Sequence, residues 1–461
     1  MAKNLKIAFV QPEVRFKPLN ALGTYPLGIL YLATTVKQKT GYDVKCFEED
    51  SEPILKNGKI HPFLLEADVV GISGLTPTIP RAYAIADELR NLRAGGKTNK
   101  NLQVMIGGMH ATFMPQEAVE HADVVVRGEC EGNIVDLIES KQRGIVQGKR
   151  VEDLDSLVDP DYSLLDYKKR RLADFLHGNL ASVSTSRGCS YCCDFCSVWT
   201  AFGRKVRIES PERQVDKLRK LREQGFKRVF IHDDNFSEKR VHRKALFDIL
   251  INENLDMNYT VQDRIDLLQD EEYVEMMARS GCSMVMFSIE SPNEEFLRMH
   301  NKQLDLGKVE KGVKLLRKNK IAPYAFCMIE PENLEQTKQT IKLLRDLRIK
   351  YAQFTILTPL PGTILYNKLK DKISVELKNR ASVGWEYFTG LSLVTESKEK
   401  IKTAGEHLSK TWRKFYSPAR ASLDIFLDIF KGDIKGNISR AGLRLYGWYV
   451  GRQILKIQPD L

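Results

Sequence analysis

Long apolar stretches are the first thing this 461-residue sequence lacks. No run reaches the roughly 18 apolar residues that a bilayer-crossing helix needs, so no transmembrane helix is expected. The opening MAKNLKIAFVQPE passes directly into a strand-like run without a basic-then-apolar leader, so no signal peptide is expected either. Both absences point to the cytoplasm, where thiols stay reduced and cysteines serve metals rather than disulfides. Cysteine is scarce, at 8 residues, and neither Cys282 nor Cys327 has a cysteine or histidine near enough in sequence to build a zinc knuckle. Acidic residues are outnumbered, 60 against 71 Lys and Arg, which leaves a net charge of +11. That balance favours an anionic partner or reflects a Lys-rich composition. No recognised RNA module is present, which argues against nucleic acid. The remaining composition, 43% hydrophobic and 28% charged, is that of an ordinary soluble chain with room for two or three domains.

Three of the eight cysteines sit together. Cys189, Cys193 and Cys196 in TSRGCSYCCDFCSVW follow the spacing C-x3-C-x2-C, which composition alone would produce about 0.002 times in this length. Three thiolates on one tight loop can hold three irons of a [4Fe–4S] cluster and leave the fourth iron open to a small molecule. A zinc loop is the alternative, but it would normally show a second pair of ligands downstream. Cys192 breaks both spacings and reads as a bystander. The motif, with aromatic Phe195 before the last cysteine, resembles that of the radical S-adenosylmethionine (SAM) superfamily. The resemblance implies that the open iron chelates the amino and carboxylate groups of SAM. It further implies that an electron cleaves SAM to methionine and a 5′-deoxyadenosyl radical, in a low-oxygen setting.

Residues 1–140 alternate β-rich runs with helical patterns. LKIAFV (5–10), DVKCFE (43–48), ADVVGIS (67–73), QVMIGG (103–108) and DVVVRG (123–128) read as buried parallel strands, with PRAYAIADELRNLR (80–93) among the helices. This alternation predicts a Rossmann-like doubly wound parallel sheet, whose ligands lie at the strand carboxyl ends. Small residues cluster there: Ser73 and Gly74, Gly107 and Gly108, and Gly128. YPLGILYLA, DVVGISGLT, GGMHATFMPQEAV and RGECEG resemble the cobalamin-binding-type domain that precedes many radical SAM cores. Ser73, Gly107, Gly108 and Gly128 would then let the backbone approach the corrin ring. The chain lacks the family's D-x-H-x-x-G fingerprint, and no histidine precedes His61, so the first strand-loop supplies no histidine to cobalt. A domain kept for packing or substrate access is the alternative. His110 either approaches the cofactor or caps and packs.

Residues 141–180 read as a charged linker containing Pro160. Residues 181–370 alternate again, with strands expected at 181–186, 228–233, 258–262, 283–290, 323–329 and 352–357. Ser210-Pro211 is a helix start, with Val215, Leu218 and Leu221 on one face and Gly225 closing it. Six such units fit the partial (β/α)6 barrel of radical SAM enzymes, with chemistry at the strand carboxyl ends. The resemblance assigns residues there. Asp233 and Asp234 in HDDNF match the element near the SAM amino group, although Asp234 or Asn235 also suits a helix N-cap. Arg264 would grip the SAM carboxylate in two places, unless it is a surface arginine. Glu290 and Ser291 in FSIESPNEEFL would contact the ribose or amino acid moiety. Thr358 in TPLPGT belongs to the final strand end. CMIEPENLEQT departs most from the family's I-G-x-P-G-E-T: both glycines are lost, and Glu330 and Glu332 stand near the active face.

Residues 371–461 form a predicted helical C-terminal extension. From 401 onward, 11 basic minus 5 acidic residues give +6, interleaved with aromatics such as Tyr446, Trp448 and Tyr449. Such a run suits a peripheral contact at the inner membrane face, or a helix packed on the barrel. The expectation is therefore an α/β enzyme using a [4Fe–4S] cluster, SAM and cobalamin to methylate an unactivated carbon of a hydrophobic small molecule or lipid. An external donor such as flavodoxin or ferredoxin would reduce it. A cobalamin-independent cyclase, oxidase or C–C bond-forming enzyme is the alternative. A non-catalytic electron-transfer protein is the third reading.

Overall fold

β-Branched and aliphatic runs become the strands of two parallel sheets in a computed structural model. The structure describes residues 4–14, 24–56, 59–166, 180–374, 377, 381–417 and 446–458. The chain divides into two compact units, residues 1–190 with 197–226, and residues 191–196 with 227–461.

In the first unit, β1 (Lys6–Gln11), β2 (Asp43–Glu48), β3 (Val69–Ser73), β4 (Gln103–Gly107), β5 (Val124–Arg127) and β6 (Gly144–Gln147) pair in the order β2-β1-β3-β4-β5-β6. All pairings are parallel. Ile7, Ala8 and Val10 of central β1 are wholly buried, as a strand covered on both faces requires. Helix α1 (Leu27–Thr40) ends where Gly41 turns left-handed (φ +72°) and returns its N–H to Lys37 O at 2.9 Å. The order reverses between β1 and β3, and ligands of such sheets bind outside the strand carboxyl ends at that switch point. β6 lies inside the segment expected to be linker. Its run GIVQ is too short to register as a strand by periodicity, and it forms by pairing in register with Val124–Arg127.

Each of the six strands expected from 181 onward forms, beginning with β7 (Leu180–Val183) in the first unit. In the second unit β8 (Arg228–Ile231), β9 (Asn258–Asp263), β10 (Cys282–Glu290), β11 (Ala322–Ile329) and β12 (Tyr351–Ile356) pair sequentially and in parallel. β11 alternates strictly between partly exposed and buried positions, so its two faces meet different surroundings. The longer helices after α1 are α2 (Ile79–Ala94), α3 (Pro211–Glu223), α4 (Arg240–Glu253), α5 (Glu271–Arg279), α6 (Leu306–Lys318), α7 (Leu334–Asp346) and α8 (Lys398–Phe415), and α3 starts as expected: Ser210 Oγ accepts the Arg213 N–H at 3.2 Å. Gly225 follows it at φ +92°.

The C-terminal extension covers the edge of β12. Helix α8 (Lys398–Phe415) donates from Trp412 Nε1 to Phe354 O at 3.0 Å. The Tyr416 hydroxyl donates to Ala352 O at 2.6 Å and accepts the Ala352 N–H at 2.7 Å, so one side chain satisfies both backbone groups of an edge residue. A helix over residues 446–453 lies against α8. A Cβ on Gly447 would come within 2.6 Å of the Tyr416 ring, and one on Gly451 within 2.8 Å of Trp412 Cβ. This described part of the basic aromatic run therefore packs on the protein through its small residues. Arg440, Leu443 and Arg444, with the rest of 418–445, lie outside the described residues.

Candidate functional site

The cysteine loop leaves the first unit through a two-residue antiparallel ladder, Ser186–Arg187 with Arg207–Ile208. Gly188 has φ +96°, and a Cβ there would come within 2.9 Å of Gly203 O and 3.0 Å of Lys205 O, so only glycine fits. The Cys189 N–H then donates to Gly203 O at 3.4 Å. In the second unit Cys193 is buried and Cys196 partly exposed. Asp194 anchors the turn between them. Its buried carboxylate lies 2.9 Å from His300 Nδ1 and 3.3 Å from Lys368 Nζ, and its carbonyl accepts the Leu365 N–H at 2.9 Å. Cys192 points elsewhere: Asn301 Nδ2 donates to its carbonyl and its Sγ, both at 3.1 Å. Among the described residues no three His, Cys, Asp or Glu side chains converge as a single ion demands. Three thiolates serving three different irons need not converge on one point.

Around Cys193 stand Glu290, Lys302 and Arg264. Burial pushes the Cys193 thiol up, the cations Lys302 and Arg264 pull it down, and Glu290 pushes it up. Glu290 ends β10 in a left-handed backbone (φ +61°), where the register against β11 shifts. For a glutamate that conformation costs about 1–2 kcal/mol. The surrounding structure enforces it, which is characteristic of functional positions. Its buried carboxylate accepts from Lys302 Nζ at 3.1 Å.

Arg264 differs from expectation. Its guanidinium already grips Asp266 through Nε (3.1 Å) and Nη2 (2.8 Å), donates to Lys302 O (3.0 Å) and Gln303 O (2.6 Å), and stacks 3.8 Å over Tyr191. Four of its five N–H groups are committed, so it presents no free fork to a carboxylate. Asp233 is similarly engaged. It is wholly buried and lies 2.5 Å from Nη2 of Arg243, itself wholly buried on α4 (Arg240–Glu253). Arg243 Nε donates to Phe236 O at 2.8 Å. Asp234 is exposed.

Other buried atoms at these strand ends lack partners among the described residues: His232 Nε2 and Asn235 Oδ1 after β8, and Glu330 Oε1 after β11. An orphaned amide oxygen and carboxylate oxygen suit a ligand rich in N–H and O–H donors, as SAM is through its ammonium, adenine amine and ribose hydroxyls. Burial holds His232 neutral, its pKa pushed down to about 4. Glu332 instead meets Lys400 at the surface, at 2.9 Å. Ser291 accepts the Asn293 N–H and the Gln336 amide, both at 3.1 Å, and Thr358 donates to Ile356 O at 3.0 Å. Both hydroxyls shape the strand ends.

In the first unit, Ser73 and Gly74 after β3 meet Gly107 and Gly108 after β4. The Gly74 N–H donates to Gly107 O at 2.9 Å. Gly108 has φ +94°, and a Cβ there would lie 2.8 Å from Gly74 O, so its glycine is demanded by this neighbour itself. Gly128 (φ +76°) donates its N–H to Thr112 Oγ1 at 3.0 Å. Ser73, Gly107, Gly108 and Gly128 all remain partly exposed, a side-chain-poor platform that fits a broad flat ring. His110 is wholly buried between Thr76 (3.2 Å) and Glu117 (3.4 Å), so it packs.

Residues 183–359 match the model of the Radical SAM superfamily, and residues 21–138 match that of the B12 binding domain. Over 96% of this chain and 99% of the relative, an uncharacterized methyltransferase of Pyrococcus horikoshii is 29% identical. The anaerobic magnesium-protoporphyrin IX monomethyl ester cyclase of Rubrivivax gelatinosus is 27% identical over 80% of this chain and 71% of its own. The radical SAM methyltransferase TsrM from Kitasatospora setae, solved with cobalamin and a [4Fe–4S] cluster, shares the fold with a TM-score of 0.63. It is 18% identical and covers 79% of this chain and 77% of its own. The chain carries a B12 binding domain ahead of a radical SAM domain. It is an enzyme whose radical SAM domain implies a [4Fe–4S] cluster and SAM, and whose B12 binding domain supports cobalamin as a further cofactor.

Proposed function

We propose that the chain transfers a methyl group to an unactivated carbon of a hydrophobic substrate. The observation that carries the reading is the meeting of Cys193 with Glu290 and Lys302 at a strand carboxyl end. It stands in a chain that also forms the glycine platform of a B12 binding domain. Cys189, Cys193 and Cys196 would hold three irons of the cluster. When bound, the cofactors would supply radical hydrogen abstraction and methyl transfer. Glu290, held in one geometry by Lys302 and its backbone, would accept hydrogen bonds from the SAM ribose or ammonium. Asn235 Oδ1 would take a further donor, in place of the engaged Asp233. Arg264, closed on Asp266, holds Tyr191 and the carbonyls of Lys302 and Gln303 in position and adds positive charge beside Cys193. Ser73, Gly107, Gly108 and Gly128 would face the corrin. Residues 181–370 would form the radical SAM core and 1–140 with β6 the corrin-binding domain.

The magnesium-protoporphyrin cyclase among the relatives supports an apolar substrate such as a tetrapyrrole. Electrons would come from flavodoxin or ferredoxin. Among the described residues no helix is long and apolar enough to cross a membrane. A peripheral contact would rest on the basic aromatic run from 418 onward, whose described helix over 446–453 turns its glycines to α8 and leaves Tyr449 exposed. Cyclisation without cobalamin is the second reading, favoured by Gly108, whose glycine is explained by Gly74 alone. Anaerobic reconstitution decides, with 5′-deoxyadenosine, bound corrinoid and methylated product measured together. Deoxyadenosine with stoichiometric corrinoid is expected. Deoxyadenosine without corrinoid uptake favours the cyclase, and failure to assemble a SAM-binding cluster refutes the proposal.

A further inference from the structure

The ladder at the neck of the cysteine loop places Arg187 directly opposite Arg207. Like charges facing each other across two strands repel, and both side chains are largely buried, at 12% and 3% exposure. One carboxylate resolves the conflict. Glu129 accepts from Arg187 Nη1 through one oxygen and from Arg207 Nη2 through the other. Glu131 takes the second arm of Arg187 at 2.7 Å, and Val151 O takes that of Arg207 at 2.6 Å. Glu131 is buried, the Glu129 side chain is 6% exposed, and both belong to RGECEG, the segment leaving β5. A Cβ on Gly148 would fall 2.3 Å from Glu129 O, so this backbone too is pinned. Gly128, the proposed corrin contact, directly precedes Glu129, and Arg187 stands two residues before Cys189.

We infer that Glu129 is a positioning residue for the iron–sulfur cluster: it staples both strands of the cysteine-loop neck to the corrin-side end of β5 and sets the charge beside the cluster. The inference rests on the cysteine assignment above. Removing the charge of Glu129 leaves two buried guanidiniums opposed, with one more net positive charge near Cys189. The neck should open more often, exposing the cluster, and the added positive charge should favour the reduced cluster.

The test compares reconstituted full-length wild type, Glu129→Gln, Glu129→Asp and Arg207→Lys. Iron release to a chelator and the cluster midpoint potential are measured by absorbance and EPR. Glu129→Gln should lose iron about tenfold faster, in line with substitutions of groups that hold metal ligands in place at other sites. Its potential should become less negative. Glu129→Asp, which keeps the charge, should hold the wild-type potential. Arg207→Lys, which keeps charge but loses the fork, should speed iron loss without moving the potential, and it decides the case if Glu129→Gln does not fold. Wild-type iron release in both Glu129→Gln and Arg207→Lys overturns the inference, as does a potential displaced equally in Glu129→Gln and Glu129→Asp. A wild type that takes up no cluster fails the proposed function instead.

Discussion

Replacing Asp233 with Asn separates two roles for the same carboxylate. If it were a SAM ligand, the substitution would weaken SAM binding and leave the fold intact. The structure assigns it to Arg243. Both side chains are wholly buried, 2.5 Å apart, with Arg243 also stacked 3.9 Å over the Phe236 ring. An isosteric amide preserves volume but strands a buried guanidinium, and breaking such a pair costs about 3–5 kcal/mol. Asn retains one acceptor, so about 3 kcal/mol is the appropriate figure. For a unit of this size each kcal/mol moves Tm by about 2–4 °C, which gives a fall of about 6–12 °C. Anaerobic thermal unfolding followed by circular dichroism reads it. The double variant Asp233→Leu with Arg243→Met removes both charges and should recover much of the loss. A Tm within about 2 °C of wild type, together with lost SAM affinity, would refute the reasoning and return Asp233 to the ligand set.

Three further predictions concern neighbouring groups. Glu290→Gln should weaken SAM binding roughly tenfold or more, since hydrogen bonds to a charged acceptor contribute about 1.5–3 kcal/mol, and should also lower Tm, because buried Lys302 loses its anion; equilibrium dialysis with SAM on the folded variant checks the first and thermal unfolding the second. Tyr416→Phe should cost about 1–2 kcal/mol, because Ala352 loses its partner for both N–H and C=O, and chemical denaturation reads the change. Asp263 is buried, and burial raises its pKa to about 6 despite donors from Ser237 and Arg264. Its folded pKa therefore lies above its unfolded value. Its stabilising contribution is full below about pH 4 and is lost as pH rises through 6. Asp263→Asn should accordingly be more favourable relative to wild type at pH 8 than at pH 4.5, by up to about 2–3 kcal/mol, in paired melts. An unchanged difference between the two pH values would place the carboxylate in a wetter setting.

What was legible from the sequence and what was not divides along a physical line. Strands such as Lys6–Gln11 and Leu180–Val183 announce themselves because a strand buried on both faces must be largely apolar, whatever its neighbours. The Ser210-Pro211 helix start is legible for the same reason, being chemistry confined to four residues. β6 escaped because GIVQ is defined by its partner β5 rather than by its own period. The assignments of Arg264 and Asp233 as ligands rested on residue type at the right strand end, and type alone does not reveal a competitor. Asp266 lies two residues from Arg264 and Arg243 ten from Asp233. Neither shows in the sequence as a partner until the helix or turn brings it round. Lys302, twelve residues past Glu290, escaped for that reason, and so did Asp194, overlooked between two cysteines.

The same argument bears on Glu330. Its place in the family pattern is glycine-rich, and it ends β11 with a buried oxygen that no described neighbour satisfies. A carboxylate in that condition is costly unless a ligand completes it. Asp233 and Arg264, the acidic and basic residues that family resemblance put forward, carry their own partners. Glu330, the residue that departs from the family, retains an unused acceptor. A ligand that completed Glu330 would therefore have to bring a hydrogen-bond donor to its free oxygen, since Asn333 and Gln336 already hold the other carboxylate oxygen and the Glu330 N–H.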